Sequence, residues 1–126
     1  MSRMIVTVLI FIAIAAIMIF GYTNINTCSN KFNVFYNNAK DFIQNNEIEK
    51  AQNCVIKMSE LIENEHKTLM MIIDHDIVEK LQTKLKRTQI FLSSNEKSFA
   101  SAELAEAKGI IDAIKGSQEL ALENIF

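Results

Sequence analysis

The sequence predicts an all-α protein: an N-terminal transmembrane helix followed by an antiparallel bundle of three to four amphipathic helices, built as helical hairpins of tetratricopeptide-like geometry. Three observations lead there. The chain of 126 residues contains no Pro, no Trp and only three Gly, so little interrupts helical runs. Its hydrophobic content of 49% is concentrated unevenly, with one uncharged block near the start. Beyond that block, apolar residues recur at i, i+3, i+4 and i+7, the spacing of amphipathic helices.

The uncharged block, MIVTVLIFIAIAAIMIFGY, covers residues 4–22. Nineteen helical residues rise about 28 Å, close to the roughly 30 Å of bilayer hydrocarbon. A cleaved secretory signal has a shorter apolar core of about 7–15 residues. The Ala13-x-Ala15 pattern lies inside the run, where cutting would leave an apolar new terminus. Cys28 follows Asn26-Thr27 rather than the small residue a lipid-modified Cys requires. The sequence therefore favours an uncleaved anchor over residues 1–22, single-pass in the cell membrane and in contact with the lipid bilayer through residues 4–22. Lys and Arg counts on the two sides almost tie. Arg3 and the amino terminus lie directly against the span, which favours a cytoplasmic N-terminus and extracytoplasmic residues 23–126.

Residues 23–30, TNINTCSN, read as a short linker or a continuation of the anchor helix, and residues 31–126 as the helical domain. The first amphipathic stretch carries Phe32, Phe35, Tyr36, Ala39, Phe42 and Ile43 and is punctuated by Asn45-Asn46. The second runs Ile48, Ala51, Val55, Met58, Leu61/Ile62, Leu69 and Ile73. The third carries Ile77, Leu81, Leu85 and Leu92 and ends near Ser93-Ser94-Asn95. The fourth carries Phe99, Ala102, Ala105, Ile110/Ile111 and Ile114 and closes near Gly116. A tail, SQELALENIF, adds Leu120, Leu122 and Ile125. No stripe is buried alone, so the helices are expected to pack as antiparallel hairpins. A shift of 51 residues aligns Ile48, Ala51 and Cys54 with Phe99, Ala102 and Ala105, each set following an Asn.

The one stretch that suggests chemistry is Asp74-His75-Asp76. With His66 it forms the candidate metal set, and Glu63 and Glu65 are the nearest further donors. Asp76-Ile77-Val78-Glu79 also fits a capping box with Asp76 as N-cap, and Asp74 serves if the helix starts two residues earlier. A continuous second helix would hold His66 and His75 far apart, and zinc needs three or four converging ligands. The favoured reading is thus a helix corner without metal, with His66 on the apolar side of its helix. Cys28 and Cys54, 26 residues apart, allow a disulfide outside the membrane; a buried free thiol at Cys54 is as ordinary, and the helical reading favours free thiols. Lys80, Lys84 and Arg87, with Lys86 beside them, read as a solvated basic face, with lipid headgroups or an anionic wall polymer as the alternative.

A net charge of −2 gives no general attraction to nucleic acid. No phosphate loop, GxSxG, HExxH or CxxC is present. No catalytic residue, cofactor or small-molecule substrate is expected, and the chain reads as a non-enzyme.

The order of features resembles a known grouping. A hydrophobic anchor precedes an amphipathic helix, NNEIEKA, IIDH followed by Ile and Glu, and a terminal LENIF. This resembles an uncharacterised family of short single-span proteins from Gram-positive, often spore-forming, bacteria that carry a domain of unknown function. The most specific parts are Asp74-His75 and Leu122-Glu123-Asn124-Ile125. Family members often carry a Trp in the second and third apolar stretches, and this chain has none. The resemblance implies an anchored, helical, extracytoplasmic domain with no assigned enzyme activity. The expectation is an interaction or structural module at the outer face of the membrane, bound to a membrane or envelope protein. The alternative is a metal-binding or metal-sensing extracytoplasmic domain centred on His75.

Overall fold

The computed structural model describes residues 2–67, 69 and 73–125, except the side chains of Ala121, Leu122 and Ile125. Among these residues there are four long helices and no strand: α1 over Ser2–Gln44, α2 over Ile48–Asn64, α3 over His75–Ser93 and α4 over Lys97–Ile125. α1 runs without a break through residues 23–30. At 43 residues it is about 65 Å long.

α1 changes environment along its length. Phe11 and Phe20 are 69% and 65% exposed, and the apolar side chains around them stand free of the rest of the chain. From Gly21 onwards one face turns into the protein, burying Ile25, Cys28, Ser29, Phe32, Ala39 and Ile43. The polar stretch 23–30 thus supplies buried residues to the helical body. By length and composition the first part of α1 can cross a membrane, and a signal sequence meets the same test.

The body is two hairpins laid side by side. α1 packs on α2 and α4, and α3 packs on the same two helices. Partner residues run in opposite directions: Gln52 meets Gln89 and Ser93, whereas Ser59 meets Gln82. Likewise Phe91 stacks near Phe99, while Lys84 reaches Glu106. The core joins Phe32, Val55, Met58, Ile62, Leu81, Leu85, Leu92 and Leu104, each at most 2% exposed. Burying one such side chain stabilises by about 1.5–3 kcal/mol.

The hairpin turns share one local design. Asn46 and Asn95 adopt φ of 66° and 58°, the left-handed region that Asn tolerates better than most residues. Glu47 N–H donates to the Phe42 carbonyl and Asn46 N–H to the Ile43 carbonyl, at 2.8 and 3.2 Å. Glu96 to Phe91 and Asn95 to Leu92 repeat the pattern at 2.8 and 3.1 Å. Both are Schellman endings that satisfy the last carbonyls of a helix. Four residues after each Glu stands an Ala with no exposed surface, Ala51 and Ala100. The true internal register is thus Phe42-Ile43-x-x-Asn46-Glu47-x-x-x-Ala51 on Phe91-Leu92-x-x-Asn95-Glu96-x-x-x-Ala100, a shift of 49 residues rather than 51. Asn95→Val is expected to cost about 1–2 kcal/mol through left-handed strain. Asn95→Gly should be neutral or stabilising, and thermal melting of the two variants distinguishes them.

The change of register has a matching change of phase on α4. Phe99, Ala102 and Ala105, expected in the core, lie on the exposed side, and the buried set is Ala100, Leu104, Ala107, Ile111 and Ile114. Steps of three fall short of the 3.6-residue turn and drift around the helix; Leu104 and Ile111, seven apart, hold the phase. On α3 the inward residue is Val78, at 2%, rather than Ile77, at 39%. α4 also continues through Gly116 instead of closing there. Its tail residue Leu120 is 61% exposed, and the expected burial of Leu122 and Ile125 lies outside the described side chains.

Candidate functional site

The corner between α2 and α3 departs most from expectation. α2 stops at Asn64, with Glu65 as its C-cap donating its N–H to Leu61; residues 66, 67 and 69 resume a helical path. This break rotates His66 to an exposed position rather than onto the apolar side. It also undoes the separation of the two imidazoles. The His66 and His75 ring centroids lie 6.5 Å apart at an interplanar angle of 80°. His75 Nε2 is 3.2 Å from Glu79 Oε1, one turn further along α3. Such a pair strengthens when the imidazole is protonated.

The capping assignment moves as well. Asp74, at φ −57° and ψ 135°, is the N-cap of α3, and its side chain makes no capping hydrogen bond. Its carbonyl accepts from Ile77 N–H at 3.1 Å. Asp76 lies in the first turn, where its charge favours the positive end of the helix dipole. The capping box with Asp76 as N-cap is therefore not formed, because the helix begins two residues earlier than that box requires. Among the described residues, no three His, Cys, Asp or Glu side chains converge as a ligand group. Glu63 and Glu65 do not join the two histidines.

Both cysteines are buried and free. Burial pushes the Cys28 thiol up to about 11, with the Glu65 carboxylate adding to the effect. Burial raises Cys54 in the same direction. Neither is poised as a nucleophile, which requires a thiolate near neutral pH. Beside Cys28, Ser29 Oγ and, one turn on, Asn33 Oδ1 are buried and have no hydrogen-bond partner among the described residues. The polar character of TNINTCSN gives no hint of this interior position. The helical spacing of Ile25, Cys28 and Phe32 is the signal that does.

The basic stripe of α3 is partly turned inward. Lys84 sits between Glu103, at 3.3 Å, and Glu106, while Arg87 Nε stands 3.9 Å from Glu103. The hydrogen bond with Glu106 raises the Lys84 pKa, and the same bond lowers that of Glu106. The signs fix the pH response. A raised lysine contributes stability that is lost only as pH climbs through its elevated value, and a lowered carboxylate contributes stability that is lost as pH falls through its depressed value. Lys84→Met is expected to lower the melting temperature at neutral pH and to flatten the fall in stability below the usual carboxylate range. Melting curves recorded across pH check both effects. On the far side of α4, Lys108 bridges to Asp112 at 2.6 Å and lies over the Tyr36 ring at 5.6 Å.

Between α3 and α4 runs an open groove. Its larger hollow, about 430 Å³, is lined by Ile73, Ile77, Ile110 and Ile114 with Lys80 at the rim. A second hollow of about 390 Å³ shares Lys80 and Ile110 and continues past Gly109 towards Lys84. This groove is concave and largely apolar, the kind of surface that can receive a partner.

The sequence matches, over residues 19–125, a family described as a domain of unknown function, DUF4363. The chain belongs to the DUF4363 family. The matched region takes in the whole helical body and the end of the apolar segment, so both hairpins and the groove are features of the DUF4363 region of this chain. Neither a curated protein nor a solved structure matches it.

Proposed function

We propose that this DUF4363 protein is a membrane-anchored interaction or structural module. Residues 1–22 form an uncleaved anchor with a cytoplasmic N-terminus, and residues 23–126 form an antiparallel four-helix body at the outer face of a Gram-positive cytoplasmic membrane. The body binds another membrane or envelope protein. The observation that carries the reading is the continuity of α1. One helix passes from a largely exposed apolar segment straight into the core at Gly21, Ile25 and Cys28. Contiguous apolar surface of that extent is not left in water. A rigid helix shared by span and body also fixes the body against the membrane, and the α3–α4 groove offers a place for a partner helix. The hairpins repeat one register, in the manner of helical-repeat scaffolds, which serve binding more often than chemistry.

The test is purification of the intact protein from membranes. A specific membrane or envelope protein should copurify reproducibly, and Ile110→Glu in the groove should reduce its recovery. No reproducible partner, together with turnover of a substrate by residues 23–126, would sink the proposal.

A second reading, a metal-binding or metal-sensing domain, draws on the approach of His66 to His75. Two imidazoles fall short of the three or four ligands a stable zinc site uses. Metal analysis of the purified protein separates the readings: bound metal whose removal by a chelator lowers the melting temperature favours the second.

A further inference from the structure

The helices themselves fix the level at which span and body meet. α1 rises away from the apolar segment, α2 returns, α3 rises again and α4 returns. The 17 residues of α2 start beside the end of α1 and bring Asn64 down to about the level of Cys28. The Glu65 carboxylate, which acts on the Cys28 thiol, agrees with that level. Leu69 N–H then donates to the Glu65 carbonyl and Ile73 N–H to the Leu69 carbonyl. The corner thus continues towards the apolar segment before His75 returns to His66. α4 reaches lower still. Lys108 stands over the Tyr36 ring at 5.6 Å, and the two helices run antiparallel. Counting from that contact, Leu120 is level with about residue 24 of α1, and Glu123 with about residue 21. The last turns of α4, residues 117–125, therefore lie beside the outer end of the apolar block.

The exposure of α1 points to the same neighbour independently. Ala15, Met18 and Tyr22 are partly covered and Ile25 is buried, while Ile17 and Phe20 between them are exposed. Positions 15, 18, 22 and 25 share one helix face, so a packed element lies along it. α1 packs on α2 and α4, and α2 has ended above this level. The residues of these last turns suit a boundary between lipid and water. Leu120 is 61% exposed and continues the exposed apolar surface of Ile17 and Phe20. Glu119, Glu123 and Asn124 lie around it. The Cα–Cβ bonds of a helix tilt towards its N-terminus, which in α4 aims both carboxylates away from the apolar segment. The polar layer of a bilayer is about 5–7 Å deep on each side, enough to hold these groups with Leu120 at its inner edge.

We propose that the last turns of α4, with the α2–α3 corner beside them, are seated in the headgroup layer of the membrane that α1 crosses. Lipid rather than water covers Leu120, and the ammonium groups of a zwitterionic lipid surface meet Glu119 and Glu123. This seating rests on the anchoring proposed above, since α1 carries these turns to the bilayer surface. It adds a second membrane contact outside residues 1–22, and an interfacial contact beside a span sets the tilt of that span.

The chain has no Trp, so single-Trp variants of the full-length protein report depth. Leu120→Trp, Ile12→Trp and Ile90→Trp, the last at a 62% exposed position near the far end of α3, are placed in phosphatidylethanolamine–phosphatidylcholine vesicles. Phosphatidylcholine brominated high on its acyl chains should quench position 120 by roughly half or more, as for a side chain about 5–10 Å into the interface. Bromines near the chain ends should quench position 12 more than position 120, and neither lipid should quench position 90. Acrylamide in the water should show the reverse order. Trp itself favours interfaces, so Leu120→Cys and Ile90→Cys carrying a small nitroxide repeat the comparison. Oxygen should relax the label at 120 more than a water-soluble nickel chelate does, with the opposite order at 90. Equal behaviour of positions 120 and 90 with either probe overturns the proposal. If position 120 is quenched by brominated lipid yet alkali strips the protein from the vesicles, the anchor fails and the seat stands. If the protein resists alkali and position 12 is quenched while position 120 is not, the seat fails and the anchor stands.

Discussion

Replacing Ile12 and Ile14 together by Arg is expected to remove the protein from the membrane fraction. Both residues lie near the middle of residues 4–22 and are 59% and 50% exposed, with no part of the body over them. An Arg at the centre of a span costs about 2.5–3.5 kcal/mol on insertion scales. Two therefore cost roughly 6 kcal/mol, and the favourable transfer of two Ile side chains is lost as well. That figure already includes the relief that snorkelling and local bilayer thinning give. Alkaline extraction of membranes reads the result: the parent chain stays in the pellet and the double variant does not. Ser2→Arg with Thr23→Arg, at the two ends of the same segment, should keep the protein in the pellet, since charge there meets headgroups.

Phe32→Ala is the second large effect. Phe32 has no exposed surface and sits where α1 meets the core of the body. Truncating a fully buried Phe removes its transfer energy and leaves a cavity, together about 3–5 kcal/mol. A domain of this size holds roughly 5–15 kcal/mol in all, so the variant should melt far below the parent or fail to fold. Val34→Ala, two residues away and 58% exposed, should change stability by less than about 0.5 kcal/mol. Denaturant unfolding of the detergent-solubilised protein measures both. Similar losses at the two positions would place the core on the wrong face of α1.

The helices themselves are legible in the sequence because few residues break them and the apolar spacing is regular. The exposed and buried parts of α1 differ in sequence at Gly21, yet TNINTCSN reads as either a linker or a helix continuation. Of its inward residues, Ile25, Cys28 and Ser29, only Ile25 is large and apolar, and averaged hydropathy scarcely registers them. The phase of α4 is obscured because Ala occurs on both faces: Ala100 and Ala107 are buried, whereas Ala102 and Ala105 are exposed. Only the Schellman turns fix the repeat, through Asn46 and Asn95, and their conformation is visible in the backbone rather than in the composition. The histidine corner is hidden for a similar reason. Nothing in LIENEHKTL marks Glu65 as a stop, as neither Gly nor Pro stands there. Once the helix breaks, His66 and His75 meet. The Lys84 pairings are hidden because a basic stripe at helical spacing looks the same whether it faces water or an acidic neighbour.

The central claim, a body held outside the cell by an uncleaved α1, is tested most directly by labelling intact cells with a membrane-impermeant maleimide. Cys28 and Cys54 give little background, since both are buried and burial raises both thiols, Cys28 to about 11, away from the reactive thiolate form. A chain carrying Lys57→Cys on the exposed side of α2 is predicted to label as fully in intact cells as after permeabilisation, while remaining in the membrane fraction. Labelling that appears only after permeabilisation would contradict the account, because residues 23–126 would then lie inside.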